Sequence, residues 1–220
     1  MVGEDTVSGL TFADDFVGIS ETPEGLQEQR EKALEYTRKK RVTANVKKCA
    51  VVVCNEDKEN PVTFKWKWGE DELPIEDQYT YLGVEISKEC SWDAHIAKVI
   101  GKGKAHVGKM AAIPTDSHLD TRMKICILID VIVPKLEYAG EVWEGNAKLL
   151  KQLETVQMTA AKKVLGYSST TSNTVLRAEV GMYPLKTNRD VRKLKWHYKV
   201  KSIPKKRLPA IALIALCGRK

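Results

Sequence analysis

The amino-acid sequence predicts an α+β protein, with short strands in its first part and helices in the remainder. Short apolar runs lie on both sides of the adjacent acids Asp14 and Asp15, which is typical of a β-hairpin with the acids at its connection. Residues 62–68 alternate strictly between apolar and polar side chains, as a half-buried strand does. Beyond Trp92 the apolar residues recur at helical spacing instead.

The first helix is predicted directly after the hairpin. Thr22 suits an N-cap and Pro23 suits the first helical position, so we expect a helix that runs to about Lys40. A basic cluster occupies residues 38–41 at the end of this helix. The cluster fits a nucleic-acid contact, and it fits equally the ordinary preference of cations for the negative end of a helix dipole.

Several strands are predicted between this helix and residue 90. Residues 49–54 are almost wholly apolar and β-branched, which predicts a strand covered on both faces. The aromatic face of residues 62–68 fits either base stacking or packing on a helix. Packing is favoured because the lysines of this segment point away from the aromatic residues. Segments 73–75 and 79–87 complete a small antiparallel set.

Helices are predicted for most of the chain after residue 90. The segment 93–109 places Ile96, Val99 and Ile100 on one buried stripe, although its glycines weaken it as a regular helix. Residues 119–133 are apolar around most of the helix circumference and predict a central helix that stops near Pro134. Further helices are predicted over 148–165, up to Val180 and from about Asn188.

The charge of the chain is unevenly distributed. The formal net charge is +7 and the pI is about 9.0, which indicates polyanionic partners. From Lys186 onward, twelve basic residues stand against the single acid Asp190, so the rest of the chain is net acidic. Aromatic residues at 196 and 198 lie among these cations, a composition that suits nucleic acid because aromatics stack and cations neutralise phosphates.

The five cysteines form an odd set without a Cys-x-x-Cys pair or a secretory signal. We interpret them as reduced core thiols of an intracellular, nuclear or cytoplasmic protein that is not secreted. A metal site of Cys90, His95 and His106 is conceivable, but its spacing matches no known zinc pattern. No apolar window approaches the ~20 residues of a membrane span, so no membrane partner is expected.

Two adjacent acids at a hairpin tip suit divalent metal. Mg²⁺ takes oxygen ligands, usually one or two protein carboxylates together with phosphates of the substrate. Two such ions about 3.5–4 Å apart can clamp the attacking and leaving oxygens of a phosphoryl transfer. The simpler alternative is that Asp14 and Asp15 only form the turn, because Asp is a common turn residue.

Several segments, in order, resemble reverse transcriptases of non-LTR retrotransposons. Phe12-Ala13-Asp14-Asp15 resembles the (Tyr/Phe)-Ala-Asp-Asp box, and Asn45-Val46-Lys47-Lys48 is similar to the Asn-x-x-Lys segment that follows it. Tyr81-Leu82-Gly83-Val84 resembles the Tyr-Leu-Gly turn at the palm edge. Residues 134–143 resemble Pro-x-Leu-x-Tyr-(Gly/Ala)-x-x-x-Trp, and segments 153–157 and 178–181 continue the match. The resemblance covers nearly all of the chain except about the last dozen residues.

The resemblance implies three parts. Residues 1–89 correspond to an incomplete polymerase palm made of a β-hairpin, a helix and a small antiparallel sheet. Residues 90–167 correspond to an all-helical thumb or connection, and residues 168–220 to a basic helical extension. The implied partners are an RNA template, a DNA primer and deoxynucleotide triphosphates.

The resemblance also implies roles for individual residues. Asp14 and Asp15 are the implied catalytic and Mg²⁺-binding residues. The implied nucleotide and primer contacts are Phe12, Ala13, Lys48, Tyr81, Leu82 and Gly83. In the thumb and extension, the candidate contacts to the nucleic-acid backbone are Lys98, Lys102, Lys193 and Lys195, which would bind phosphates without reading sequence.

A reverse transcriptase palm needs a further Asp on a strand well before the Asp-Asp hairpin, and fingers that hold the nucleotide. The hairpin here begins almost at Met1. We therefore expect a fragment of an RNA-directed DNA polymerase that binds Mg²⁺ weakly or not at all and is inactive alone. The alternative is a relic module that binds nucleic acid without sequence preference.

Overall fold

The computed structural model describes residues 8–57, 59–110 and 118–217. They form an α+β fold, as predicted, in which helices predominate. The described residues fall into two compact units. The first contains the chain up to Tyr79, Ser87–Cys90 and the chain from Val200; the second contains Thr80–Ile86 and Ser91–Lys199. No described helix combines the length and the apolar character that a membrane crossing requires.

The first unit begins with the predicted hairpin and helix. Strands β1 (Gly9–Phe12) and β2 (Asp15–Gly18) pair antiparallel, and helix α1 covers Pro23–Lys40. The Thr22 hydroxyl accepts a hydrogen bond from the Gly25 amide at 3.2 Å, which confirms the predicted N-cap. A Cβ at Gly18 would lie 3.3 Å from a Leu26 methyl, so the hairpin packs closely on α1.

The core of the first unit is small. Val51, Trp66 and Leu73 are its buried hydrophobic residues. The Trp66 indole donates a hydrogen bond to the Pro23 carbonyl at 3.1 Å, and its ring centroid lies 5.3 Å from that of Phe64. The aromatic face of the alternating segment therefore packs inside the unit near the start of α1, as the packing interpretation predicted.

The predicted strands of this region are much shorter than expected. Residues 49–54 contribute only an isolated parallel bridge between Val51 and Ile75. Strand β3 covers only Lys67–Trp68 and pairs with β4 (Asp71–Glu72). Strands β5 (Gln78–Tyr81) and β6 (Val84–Ser87) form the third of three separate two-stranded sheets in the described chain. Proline cannot donate to a strand ladder, and prolines at 61 and 74 interrupt the ladder that the apolar pattern predicted.

The second unit is mostly helical. Its helices are α2 (Asp93–Lys109), α3 (Thr121–Ile127), α4 (Val133–Leu136), α5 (Ala147–Leu165), α6 (Asn173–Val180) and most of α7 (Leu185–Ser202). The continuous core contains the predicted Ile96, Val99 and Ile100 of α2. Gly166 and Gly181 end α5 and α6 in the left-handed conformation, as predicted. Helix α8 (Leu208–Cys217) follows α7 and belongs to the first unit.

The helix predicted to stop near Pro134 ends two residues later, at Leu136. A wide π-helical segment, Leu128–Ile132, follows α3, and α4 continues through Pro134 to Leu136. Proline lacks the amide hydrogen that an α-helical turn needs, and it is tolerated in the first turn of a helical segment. Only one side of this helical region faces the core, since Leu128 is fully buried whereas Ile129 is 43% exposed.

The glycines of α2 differ in their surroundings. A Cβ at Gly103 would lie 2.5 Å from a Leu136 methyl and 3.0 Å from a Val156 methyl, whereas nothing lies within 4 Å at Gly101 or Gly108. Gly103 therefore permits α2 to approach α4 and α5 closely. The sequence predicted only that the glycines weaken the helix, and the packing role of Gly103 is an addition to that prediction.

Candidate functional site

The acids Asp14 and Asp15 lie at the tip of the first hairpin. Phe12 pairs with Asp15, which leaves Ala13 and Asp14 as a two-residue turn. Ala13 has a φ of 53°, a left-handed conformation that hairpin turns of this length require and that costs an L-residue about 1–2 kcal/mol. Both carboxylates are exposed, so the tip offers two oxygen donors to solvent.

The strand register places Asp15 on one face with apolar residues. Leu10, Phe12, Asp15 and Val17 share this face because directly opposed residues of an antiparallel pair point the same way. The opposite face contains Gly18, which approaches Leu26 and Gln29 of α1. Phe12 is 63% exposed, so a large aromatic ring stands beside the two acids in solvent.

The two carboxylates of the hairpin tip fit the chemistry of a hard cation. Mg²⁺ prefers oxygen ligands, which Asp14 and Asp15 provide. Among the described residues, no three His, Cys, Asp or Glu side chains come close enough together to hold a metal ion. His95 and His106 do not ligate with Cys90: His95 Nδ1 hydrogen bonds the Glu85 amide, and His106 Nδ1 lies 2.9 Å from the Lys102 carbonyl.

Lys48 lies in a single 3-10 turn, Val46–Lys48, with an exposed side chain. The Tyr79 hydroxyl donates a hydrogen bond to the Lys48 carbonyl. Burial raises the pKa of Tyr79, and the negative charges of nearby Cys49 and Asp15 add to that rise. The Lys48 turn therefore contacts a phenol whose pKa also responds to the charge of Asp15.

An open cavity of about 690 Å³ lies beside this turn, lined in part by Asn45, Lys47, Asp71 and Glu72. Two carboxylates in its lining would repel a triphosphate. The implied triphosphate contact of Lys48 therefore depends on the resemblance rather than on this cavity.

Tyr81, Leu82 and Gly83 form the end of the β5–β6 hairpin. Leu82 and Gly83 have φ values of 47° and 79°, which is the pattern of a type I′ turn. The Tyr138 hydroxyl donates a hydrogen bond to the Leu82 carbonyl at 2.9 Å. The two motifs that contain Leu82 and Tyr138 are thus in direct contact in the second unit.

Lys98 is held in an internal ion pair. Its ammonium group contacts the Glu85 carboxylate and lies 2.6 Å from the Thr80 hydroxyl. Burial alone would raise the pKa of Glu85, but the hydrogen bonds from Lys98 and Thr80 outweigh burial and lower its pKa. A phosphate contact by Lys98 would therefore compete with a buried carboxylate.

His95 is buried beneath this ion pair. Its Nδ1 accepts a hydrogen bond from the Glu85 amide at 3.2 Å, and its ring lies 5.8 Å from that of Trp143. Burial lowers the pKa of His95, so the imidazole is neutral in the folded protein at neutral pH. The sequence predicted phosphate contacts for this helix. It did not reveal the buried contact between His95 and Glu85, because neither residue shows a distinctive spacing.

The segment 134–143 anchors α7. The Glu137 carboxylate pairs with the Arg192 guanidinium at 2.9 Å, and the Arg189 guanidinium lies 4.7 Å from the centre of the Trp143 ring. A Cβ at Gly140 would lie 2.9 Å from Arg189 Cγ, so glycine leaves room for this side chain. Burial raises the pKa of Glu137, an effect that Arg192 and Asn188 partly offset.

Segment 153–157 holds the connection that precedes α7. Glu154 pairs with Arg177 at 2.6 Å and accepts a hydrogen bond from the Lys186 amide at 3.0 Å. The buried Gln157 donates to the Tyr183 carbonyl at 3.3 Å. These motif residues therefore have structural partners.

One face of α7 combines an exposed aromatic ring with cations. Arg192, Lys195, Trp196 and Lys199 line a cavity of about 240 Å³ together with Glu141; we call this set the α7 face. Trp196 is 45% exposed, and the Lys199 ammonium lies 6.0 Å from its ring centre. Lys195 is exposed, whereas Lys193 is half-buried and pairs with Glu144. Lys102 on α2 is also exposed.

The interpretation of the cysteines as core thiols is wrong for three of them, whereas Cys49 packs against the core of the first unit, and the side chain of Cys217 lies outside the described part of the chain. Cys54, Cys90 and Cys126 are exposed, and Cys49 is only partly buried. Cys54 and Cys90 lie in turns, and Cys126 lies on the solvent side of α3, where helical periodicity turns it away from the core.

Comparison with protein-family models, with curated proteins and with solved structures gave no match. The class that the fold defines is therefore α+β, with an exposed Asp-Asp hairpin in one unit and a basic, aromatic helix face in the other. The resemblance to reverse transcriptases rests on the sequence motifs alone.

Proposed function

We propose that this chain is part of the RNA-directed DNA polymerase of a non-LTR retrotransposon, comprising the end of the palm, the thumb and the region that follows. The observation that carries the proposal is the hairpin in which Phe12, Ala13, Asp14 and Asp15 form one exposed tip. An exposed aromatic ring beside two exposed acids matches the (Tyr/Phe)-Ala-Asp-Asp box that the tip resembles.

A contact between two separate motifs supports the proposal. Tyr138 of segment 134–143 donates a hydrogen bond to Leu82 of the Tyr-Leu-Gly turn. The residues of these two motifs pack against each other within one unit.

In the intact enzyme, Asp14 and Asp15 would hold Mg²⁺ together with oxygens of the nucleotide. The ion would supply positive charge at the transferring phosphoryl group. Phe12 and Ala13 would lie beside the primer terminus, and the Tyr81-Leu82-Gly83 turn would support the primer strand. The exposed Lys102 and Lys195 would contact phosphates.

The proposal can be tested by translating the genomic sequence immediately before the codon of Met1. We expect an in-frame palm strand with a further Asp, preceded by a fingers region. An upstream sequence that encodes an unrelated domain would overturn the proposal. The 220-residue chain itself is expected not to extend a primer on an RNA template with Mg²⁺.

A second function, nucleic-acid binding without catalysis, is favoured by the α7 face. Exposed Trp196 with Lys195 and Lys199 offers both stacking and phosphate neutralisation. If binding is the remaining function, affinity for RNA falls steeply with salt and is unchanged by Asp14→Ala. Affinity that is insensitive to salt would exclude it.

A further inference from the structure

Two exposed cysteines of the first unit, 36 positions apart in the chain, lie side by side. Cys54 precedes Asn55, whose amide donates a hydrogen bond to the Lys88 carbonyl at 2.8 Å. Cys90 follows in the turn after β6, where its amide hydrogen bonds the Ser87 carbonyl at 3.0 Å. These two backbone hydrogen bonds place Cys54 and Cys90 at the same turn, close enough for their thiols to interact.

We propose that Cys54 and Cys90 form a reversible intramolecular disulfide and are the redox modification site of this protein. Both residues are exposed, so a small disulfide such as oxidised glutathione can reach them. Cys49 differs, because its thiol is partly buried and donates to the Asn45 carbonyl at 3.4 Å. Cys126 is exposed, but it lies in the other unit.

The reaction is two successive thiol–disulfide exchanges. The Cys90 thiolate attacks one sulfur of oxidised glutathione, forms a mixed disulfide and releases one glutathione thiolate. The Cys54 thiolate then attacks the Cys90 sulfur and releases the second glutathione. Two protein thiols are oxidised, one glutathione disulfide is reduced, and the two thiol protons end on the released glutathione.

Cys54 suits the second step. Burial and the neighbouring Cys90 raise the pKa of the Cys54 thiol, so less of it is thiolate at neutral pH. A resolving thiol can still act, because it is held next to the sulfur that it attacks. The exchange should therefore become faster as the pH rises.

The bond would close a loop that contains β3, β4 and the β5–β6 hairpin. A native disulfide restricts the unfolded chain, so folding and oxidation favour each other. In a glutathione buffer, the equilibrium constant for forming this disulfide should be at least about tenfold larger in the folded protein than in the urea-unfolded chain. Equal equilibrium constants for the folded and unfolded chains would contradict the proposal.

The experiment equilibrates the full chain with reduced and oxidised glutathione, traps free thiols with N-ethylmaleimide and maps peptides by mass spectrometry. We expect a Cys54–Cys90 linkage in the wild type and in Cys126→Ser, the matched control for an exposed thiol. Cys54→Ser and Cys90→Ser should instead retain a glutathione adduct on the remaining partner. Stable adducts on both cysteines of the wild type, or linkage of either to a different cysteine, would overturn the proposal.

Discussion

The Tyr138 hydroxyl donates a hydrogen bond at 2.9 Å to the carbonyl of Leu82, a residue 56 positions earlier in the chain. The same ring fills the space beside Gly83, where a Cβ would lie 2.9 Å from Tyr138 Cε1. Leu82 and Gly83 both have positive φ values. A single aromatic side chain therefore holds a left-handed turn in place by a hydrogen bond and by close packing.

Gly83→Ala should destabilise the second unit more than an alanine substitution at a glycine that has similar backbone strain but no close neighbour. Gly181 has a φ of 68° with nothing within 4 Å of a Cβ, so Gly181→Ala is the matched control. We expect about 1–2 kcal/mol for Gly181→Ala and about 1–3 kcal/mol more for Gly83→Ala, because the new methyl overlaps Tyr138. Urea unfolding followed by circular dichroism measures both; equal losses would contradict the packing role of Tyr138.

Two glycines of the same helix should respond to alanine with opposite signs. Gly103→Ala should lower the free energy of unfolding by about 1–3 kcal/mol, because its methyl would overlap Leu136 and Val156. Gly101→Ala should raise it by up to about 1 kcal/mol, because nothing lies nearby and alanine favours a helix. Thermal or urea unfolding distinguishes them. A stabilising Gly103→Ala would contradict the close approach of α2 to α4 and α5.

The buried His95 should make the second unit sensitive to acid. Its pKa is lowered from the ordinary 6.5 by burial, so the unfolded state binds the proton more readily than the folded state does. Stability is therefore full above pH 6.5 and falls as the pH decreases below that value. The lowered pKa of Glu85 adds a further loss only below its ordinary 4.5.

His95→Asn tests this effect, because it keeps an acceptor for the Glu85 amide and removes the titrating group. We expect urea unfolding of the wild type to weaken between pH 7 and pH 5, and that slope to be smaller in His95→Asn. His106→Asn, at a half-buried site on the same helix, controls for the effect of a His-to-Asn substitution itself. An unchanged slope in His95→Asn would show that His95 is not the acid-sensitive group.

The α7 face should contribute to affinity for single-stranded RNA. Removal of a stacking aromatic costs about 1–3 kcal/mol per base, so Trp196→Ala should weaken binding by about fivefold or more. Tyr183→Ala is the control, because Tyr183 is 67% exposed but does not line the α7 face. Lys195→Glu should reduce the slope of log affinity against log salt by about one. Fluorescence anisotropy measures these effects, and equal losses in Trp196→Ala and Tyr183→Ala would contradict a stacking role.

Local signals predicted the helices well, and non-local pairings account for most errors. Thr22, Pro23, Gly166 and Gly181 mark helix ends through their own backbone chemistry, which sequence displays directly. The strand predicted at residues 49–54 failed because a ladder needs a partner, and its partner segment contains Pro74.

In the candidate site too, local features were predictable from the sequence and non-local ones were not. The hairpin tip is local, so its acids were found from sequence. Buried charges were not, because composition places charged residues at the surface. Arg30 lies only 6% exposed within α1, and Glu137 and Arg189 are buried where α7 meets segment 134–143. Those positions depend on packing between distant parts of the chain.

Incorporation of deoxynucleotides on a primed RNA template tests the proposed polymerase hairpin most directly. The protein would be this chain, extended by the codons that precede Met1 in its gene. We expect Mg²⁺-dependent incorporation that Asp14→Asn and Asp15→Asn each abolish, whereas Asp130→Asn, an exposed acid outside the hairpin, leaves it unchanged. Full incorporation by Asp14→Asn, with Mg²⁺ as the only metal, would show that the exposed acids form a turn and not a catalytic site.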